Sequence, residues 1–511
     1  MADMVTIREE DLIESVADAL QFISYYHPMD YIRALGEAYE AEQGPAAKDA
    51  IAQILTNSRM CAEGHRPICQ DTGIVNVFID WGQDCRLESA NGSQRSLQDV
   101  VDEGVRRAYN HPENKLRASI LADPAFTRRN TRDNTPSVLS VTMVPGRKVS
   151  IDVAAKGGGS ENKSKFKMMN PSDNIVEWVL EMLPQMGAGW CPPGMLGIGI
   201  GGTAEHCMRL AKLSLMEPID MGQLKARGAA SDIEALRIEI FDKVNALGIG
   251  AQGLGGLSTV LDVKILDWPC HAAGKPVAMI PNCAATRHAH FTLDGSGPSF
   301  LETPKLDDWP KVNWTPDKAA KRVNLDTLTP AEVSSWKHGD RLLLNGKMLT
   351  GRDAAHKRIQ DMLAKGEPLP VDFRGRAIYY VGPVDPVMGE VMGPAGPTTA
   401  TRMDKFTDMM LELGLLVMIG KAERGQGAVQ EIARHKVAYL MVVGGAAYLV
   451  ARAIREAKVV AFEDLGMEAI YEFTVEDMPA TVAVDADGNN VHQLAPLVWK
   501  EKIAKEGLLA G

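Results

Sequence analysis

From residue 291 to residue 335 the chain carries no sustained apolar period: SGPSF, ETPKLDDWPKVNWTP and their neighbours read as loop. Structureless stretches of that length are uncommon inside one compact domain, so this one marks a boundary. It divides the 511 residues into an N-terminal domain, 1–290, a linker, 291–335, and a smaller C-terminal domain, 336–511. Before the boundary, Leu12, Val16, Leu20 and Ile23 recur at helical spacing, as do Ile32, Leu35 and Tyr39, with a break at Gly44-Pro45. These predict a helical cap. The period then shifts to two over Ile74–Trp81, and again from Val138 to Ala155, where VLSVTMV-PGRK-VSIDVAA reads as a hairpin. Beyond the boundary, short apolar runs (AIYYVGPV, LLVMIG, AYLMVVGG, KVVAFED, AIYEFTVED, TVAVDADGNNVH) alternate with helical patterns. The expected fold class is therefore α/β: an α+β N-terminal domain with a helical cap, then a smaller α/β domain.

Charge narrows the partners. Lys and Arg number 55 against 66 Asp and Glu, a net charge of −11, so the global field repels polyanions. Neither a nucleic acid nor an anionic membrane is the expected partner. The N-terminal MADMVTIREEDLIE turns acidic at once and lacks a signal-peptide apolar core, which predicts a cytoplasmic protein. No repeat or low-complexity tract suggests a solenoid or an interaction tail.

The seven cysteines all precede residue 284 and are too sparse and odd in number for a disulfide framework. Thiol chemistry, if any, belongs to the N-terminal part. Cys61, His65 and Cys69 share a helical spacing that could collect zinc with Cys85, but Pro67 interrupts the helix. Cys85, Cys207 and Cys270 are expected to be small core hydrophobes. Cys69, Cys191 and Cys283 differ, because each sits in a Pro- or Gly-flanked loop: RPICQDTGIV, GWCPPGMLGIGIGG and MIPNCAATRHAH. Three converging thiolates suit an iron-sulfur cluster whose fourth iron is left open as a Lewis acid.

Two glycine strings compete for attention. Gly197, Gly199 and Gly202 satisfy GxGxxG, but no strand-borne acidic residue follows at the distance a dinucleotide site needs. In KGGGSENKS, Asn162 stands where a phosphate loop requires its second glycine, which leaves a tight turn or a close approach to ligand.

Together the strings CQDTG, KGGGSENKS, CPPG with IGIGGT, HxAxxPVAxxPNC, LNGxxxxGRDAAH, GPTTATRMD and GMEAIYEFTVED resemble those of the class I, iron-sulfur-dependent fumarate hydratases and the related tartrate dehydratases. The resemblance runs through nearly the whole chain, in the order of the single-chain enzymes. It implies a 4Fe-4S cluster on Cys69, Cys191 and Cys283, reversible hydration of fumarate to L-malate, a homodimer, and an active site between the two domains. It also implies that Gln70, Asp71, Gly159, His271 and Thr398 face the substrate, with Arg117, Arg352, Arg402 and Lys421 as cations for its carboxylates. Guanidinium groups clamp carboxylates bidentately, which fits a small dianion. Thr398 is the expected C3 base, with Asp71 and His271 as groups that could activate its weakly basic hydroxyl. One departure is that the interval from Arg402 to Lys421 is a residue shorter than in some relatives.

The runner-up is an L-tartrate dehydratase or another hydratase for a C4 or C5 dicarboxylate. More remote are a non-catalytic iron-sulfur sensor, for which no DNA-binding element is found, and a nicotinamide dehydrogenase using the GxGxxG string.

Overall fold

The computed structural model describes residues 4–89, 92, 95–387 and 389–509. The N-terminal part holds two four-stranded sheets. One runs in the order His288–Leu293, Val149–Lys156, Ile74–Gly82, Val138–Val144. The other runs Val260–Trp268, Gly194–Gly201, Lys275–Asn282, Lys165–Met169.

The expected hairpin does not form. Ile74–Gly82 lies between its two arms, parallel to Val138–Val144 and antiparallel to Val149–Lys156. Burial explains the insertion: Val75, Val77 and Ile79 are fully buried and need neighbours on both sides, whereas Val138, Val141 and Met143 lie on an exposed edge. The turn Pro145–Lys148 arches over the strand's end at Gly82, whose amide donates to the Lys148 carbonyl at 3.0 Å. A Cβ at Gly82 would lie 2.6 Å from the Gly146 and Lys148 carbonyl oxygens, so the crossing requires glycine.

The helices expected in the first sixty residues are Glu9–Tyr25, Met29–Ala41 and Pro45–Gly64. They do not act as one cap. Leu12, Val16, Leu20 and Ile23 pack on the first sheet and on the helix Leu97–Tyr109, which a Ser96/Asp99 capping box starts. Ile32, Leu35, Ile51 and Ile54 instead join the core of the C-terminal part. Helices from the beginning of the chain thus tie its two parts together.

Residues 291–335 are not wholly irregular. They finish the strand His288–Leu293 and supply Lys321–Asn324 to the C-terminal sheet. Between these strands Trp309 is buried, and its indole donates to Ser58 Oγ on the third helix at 3.0 Å.

In the C-terminal part, Arg341–Thr350, Ala377–Tyr379, Val417–Gly420 and Ala438–Met441 pair in parallel sequence. The last of these pairs with the long strand Ile470–Val484, which returns to Arg341–Thr350 and closes a ring. The runs AIYEFTVED and TVAV are therefore one fifteen-residue strand. No described helix is long and apolar enough to cross a membrane.

The GxGxxG string serves packing. A Cβ on Gly197 would overlap the Ala211 carbonyl, one on Gly199 the Cys207 carbonyl, and one on Gly201 the Trp268 carbonyl. These glycines let the helix Ala204–Ser214 and the strand Val260–Trp268 approach the strand Gly194–Gly201 at backbone distance. Gly199→Ala is expected to cost about 3 kcal/mol by thermal or urea unfolding, at the upper end for overpacking a core. Gly222→Ala, where a Cβ meets nothing within 4 Å, is the matched control and should leave stability unchanged or slightly raised.

Candidate active site

Both cysteine-bearing loops of the second sheet emerge at the same end. Cys191 lies three residues before Gly194–Gly201, Cys283 follows Lys275–Asn282 directly, and the register pairs Met195 with Asn282. Cys69 arrives from the loop between the third helix and Ile74–Gly82, and the Ala284 amide donates to the Cys191 carbonyl at 3.0 Å. Cys191 adopts a φ of 57°, a left-handed conformation costing a non-glycine residue on the order of 1 kcal/mol. Burial pushes the Cys69 thiol up to about 11, with Arg287 and Lys421 opposing. Of the other cysteines, Cys85 and Cys207 are buried in separate cores as expected, but Cys270 is exposed, in a turn where its thiol meets the Gly274 carbonyl.

The glycine string faces this gathering. A Cβ on Gly157 would lie 3.6 Å from Arg287 Nη2, 3.8 Å from Asp71 Oδ2 and 3.9 Å from Cys283 Sγ. One on Gly159 would lie 3.1 Å from the Gly189 carbonyl, 3.2 Å from Lys421 Nζ and 3.9 Å from Thr399 Oγ1. Side chains here would fill the space these groups share. The Gly158 amide donates to Asp71 Oδ2 at 2.8 Å.

Lys421 comes from the C-terminal part and donates to Cys191 Sγ at 3.0 Å. Burial pulls its ammonium down, but Cys191 and Cys69 outweigh that and hold it above the ordinary lysine value. For Asp71, burial raises the carboxyl; Arg117, Arg287, the Gly158 amide and Lys421 together bring it below its usual value. Gln70 is clasped from the C-terminal side: its Oε1 accepts from Cys69 Sγ at 3.3 Å and its Nε2 donates to the Pro397 carbonyl at 3.2 Å. The next residue, Thr398, is buried and anchored by its amide to the Tyr380 carbonyl at 2.7 Å, while its own carbonyl accepts from the Lys421 amide.

Three arginines stand within electrostatic reach of one another. Arg117 donates to the Gly382 carbonyl and lies 3.8 Å from Asp71; Arg352 pairs with Glu468 at 3.1 Å. Arg402, more exposed, pairs with Asp353. Burial, then Arg117, draws Arg352 down to about 10. Buried Nε atoms of Arg117 and Arg352, and Nη2 of Arg287, have no hydrogen-bond partner. Leaving buried donors on neighbouring cations unpaired is costly, and an anion bound among these guanidinium groups would offset their mutual repulsion.

Of the sequence-selected residues, Cys69, Gln70, Asp71, Arg117, Gly159, Cys191, Cys283, Arg352, Thr398 and Lys421 meet around this junction, and Arg402 lies at its rim. His271 does not reach it. It is exposed in the turn between Val260–Trp268 and Lys275–Asn282, at the end of the sheet opposite Cys283 and about 25 Å away by strand length. Cys61, His65 and Cys85 do not gather either, since His65 stacks on Tyr25 and Cys85 lies in another core.

Several supporting residues had no sequence motif to mark them. Asn57 donates to the Ile68 and Gly445 carbonyls and accepts from the Tyr448 and Leu449 amides, pinning the Cys69 loop to the C-terminal part. Gln252 does the same between Pro192 and Gly444. His27, which burial pulls down to about 3, bridges Ser58 Oγ and the Ala284 carbonyl. Arg66 pairs with Glu390 across the junction at 2.8 Å. Each is an isolated polar residue whose partners are main-chain groups or side chains far away in sequence, so only the fold exposes its role.

Three loop thiols, a lysine bonded to one of them and neighbouring arginines with unpaired donors thus come together at the junction of the two parts. Residues 13–292 match the family model described as Fumarate hydratase (Fumerase), and residues 295–495 match the one described as Fumarase C-terminus. The chain is 32% identical over 482 residues to the aerobic class I fumarate hydratase of Escherichia coli (strain K12), covering 90% of this chain and 85% of that one. It is 30% identical over 497 residues to fumarate hydratase 2 of Leishmania major, covering 93% and 85%. Over 283 residues, 54% of this chain and 94% of the relative, it is 36% identical to a putative L(+)-tartrate dehydratase alpha subunit of Methanocaldococcus jannaschii. The chain is an enzyme of the class I fumarate hydratase family.

Among the described residues, the one trio of metal-ligating atoms within 4.8 Å of one another is the surface group Asp408, Glu431 and His435, already engaged by Arg434. Cys69, Cys191 and Cys283 do not form such a trio, so at least one pair of their sulfurs is more than 4.8 Å apart. The all-thiol donor set and the neighbouring cations fit a polynuclear cluster.

Proposed function

We propose that this chain interconverts fumarate and L-malate with a 4Fe-4S cluster held by Cys69, Cys191 and Cys283. The observation that carries this reading is the meeting of those three thiols with the unpaired donors of Arg117 and Arg352 at the junction of the two parts. The bound cluster would supply an iron without a protein ligand as Lewis acid for the departing C2 hydroxyl.

The chain's own residues do the rest. Arg117, Arg352 and Arg402 bind the carboxylates and fix the dianion's orientation. Lys421 donates to Cys191 Sγ and opposes the burial that raises that thiol. The Gly157–Gly159 turn leaves room for substrate beside Asp71, and Gln70 is held by the Pro397 carbonyl next to the base. Thr398 Oγ1 takes the proton from C3 as its own hydroxyl proton passes to a base, the role the resemblance leaves to Asp71, whose carboxylate is held ionised, and both transfers reverse in hydration.

His271 could contribute only from a second copy of the chain, which supports a homodimer as the working form. Val138, Val141 and Met143 on one edge strand and Phe166 and Met168 on another are exposed and suited to that contact. The 36% match of the N-terminal part to a tartrate dehydratase subunit keeps L-tartrate as the second substrate to test.

The test is anaerobic reconstitution with iron and sulfide, followed by fumarate absorbance after adding L-malate, with L-tartrate in parallel and light scattering for mass. Fumarate formation by a dimer is expected. Preference for tartrate would transfer the assignment to that acid, and an intact cluster without turnover on either would favour a sensor. A fully active monomer would remove His271 from the mechanism.

A further inference from the structure

Arg287 lies four residues after Cys283 and is buried, with 2% of its surface exposed. It belongs to the string MIPNCAATRHAH that carries Cys283. Its side chain folds back over its own loop, Nε donating to the Ala285 carbonyl at 3.1 Å. Nη1 crosses to the Cys69 loop and donates to the Asp71 carbonyl at 2.6 Å. Its main-chain carbonyl accepts from the Ala155 amide at 3.0 Å, at the end of the strand that leads into Gly157–Gly159. One residue thus joins two cysteine loops and the glycine turn.

The third nitrogen, Nη2, has no partner. It lies with Asp71 Oδ2 and Cys283 Sγ within 4 Å of one point, the position a Gly157 Cβ would take. Lys421 attends Cys191, and Arg287 brings a second buried cation to the point shared by Asp71 Oδ2 and Cys283 Sγ.

We propose that Arg287 is a positioning residue of the metal centre: it locks the Cys69 and Cys283 loops together and directs its free Nη2 donor and charge at the sulfur ligands. Hydrogen bonds and charge near cluster sulfurs set reduction potential, and partners outside the ligand shell set retention of metal. This inference rests on the cluster reading above.

The experiment compares the full chain with Arg287→Met and Arg287→Lys after anaerobic reconstitution. It reads the cluster's midpoint potential and the rate of iron loss to a chelator, with circular dichroism of each metal-free protein. Arg287→Met is expected to have a more negative potential and to lose iron about tenfold faster. Arg287→Lys should recover most of the potential, because the charge remains. It should not recover retention, because one ammonium cannot reproduce a fork spanning two carbonyls. Potentials and iron loss equal to those of the unsubstituted chain in both variants would overturn the proposal. Equal potential shifts in both would overturn it as well, since charge would then be irrelevant. If Arg287→Met does not fold, the potential and iron loss of Arg287→Lys decide: faster loss at near-normal potential supports the assignment, and any other pair of values sinks it. Failure of the unsubstituted chain to take up iron would count against the cluster itself.

Discussion

Cys191→Ser is expected to lower malate dehydration by more than about a thousandfold, which corresponds to roughly 4 kcal/mol of lost transition-state stabilisation. The effect follows from where the thiol sits. Cys191 is buried, held in a left-handed backbone conformation, bonded to the Lys421 ammonium and packed against Gly444, where a Cβ would overlap its sulfur. Serine preserves the volume and still accepts from Lys421, so the fold should survive; what is lost is a soft, ionisable ligand that iron can hold. Iron per chain after reconstitution should fall with activity, while the melting temperature of the metal-free protein stays close to that of the parent. Cys85→Ser is the control, since Cys85 is equally buried but lies in the core beneath the first helix. Cys191→Ser with full iron and full rate would remove the thiol from the centre.

How much of this arrangement the sequence reveals depends on the kind of residue. The cysteine loops could be picked out because proline and glycine beside a thiol are poor company for a core residue, and all three chosen loops converge. Cys270 follows Pro269 and has the same flanking signal, yet the core expectation for it is wrong and it lies in an exposed turn, so the signal marks loops rather than the site. His271, in the same turn, is placed in the site by family resemblance alone, and strand register puts it at the wrong end of its sheet within one chain. The hairpin failed because a four-residue turn normally joins neighbouring strands, and only the demand of Ile74–Gly82 for burial on both sides separates them. Nothing local to the GxGxxG string says that Gly197 and Gly199 serve close contact between helix and strand. Asn57 and Gln252 cannot be picked out of the sequence, because polar residues that bond distant main-chain groups leave no periodic trace.

Arg352→Met should reduce kcat/KM for malate by on the order of a hundredfold, about 3 kcal/mol, mostly through KM. Arg352 is buried beside Gly382, where any side chain would collide with it, and it pairs with Glu468 at 3.1 Å. Its removal withdraws a carboxylate clamp and leaves Glu468 as an uncompensated negative charge facing a dianionic substrate, so attraction turns into repulsion. Arg352→Lys keeps the charge but gives up the planar fork, and should fall between the two. Arg402 provides the contrast. Its side chain is 44% exposed and already committed to Asp353, so solvent screens what it offers and Arg402→Lys should cost about tenfold or less. The ordering is the discriminating result: a larger loss at the exposed Arg402 than at the buried Arg352 would mean that the carboxylates bind at the rim, and that the unpaired donors of Arg117 and Arg352 serve the fold rather than the substrate.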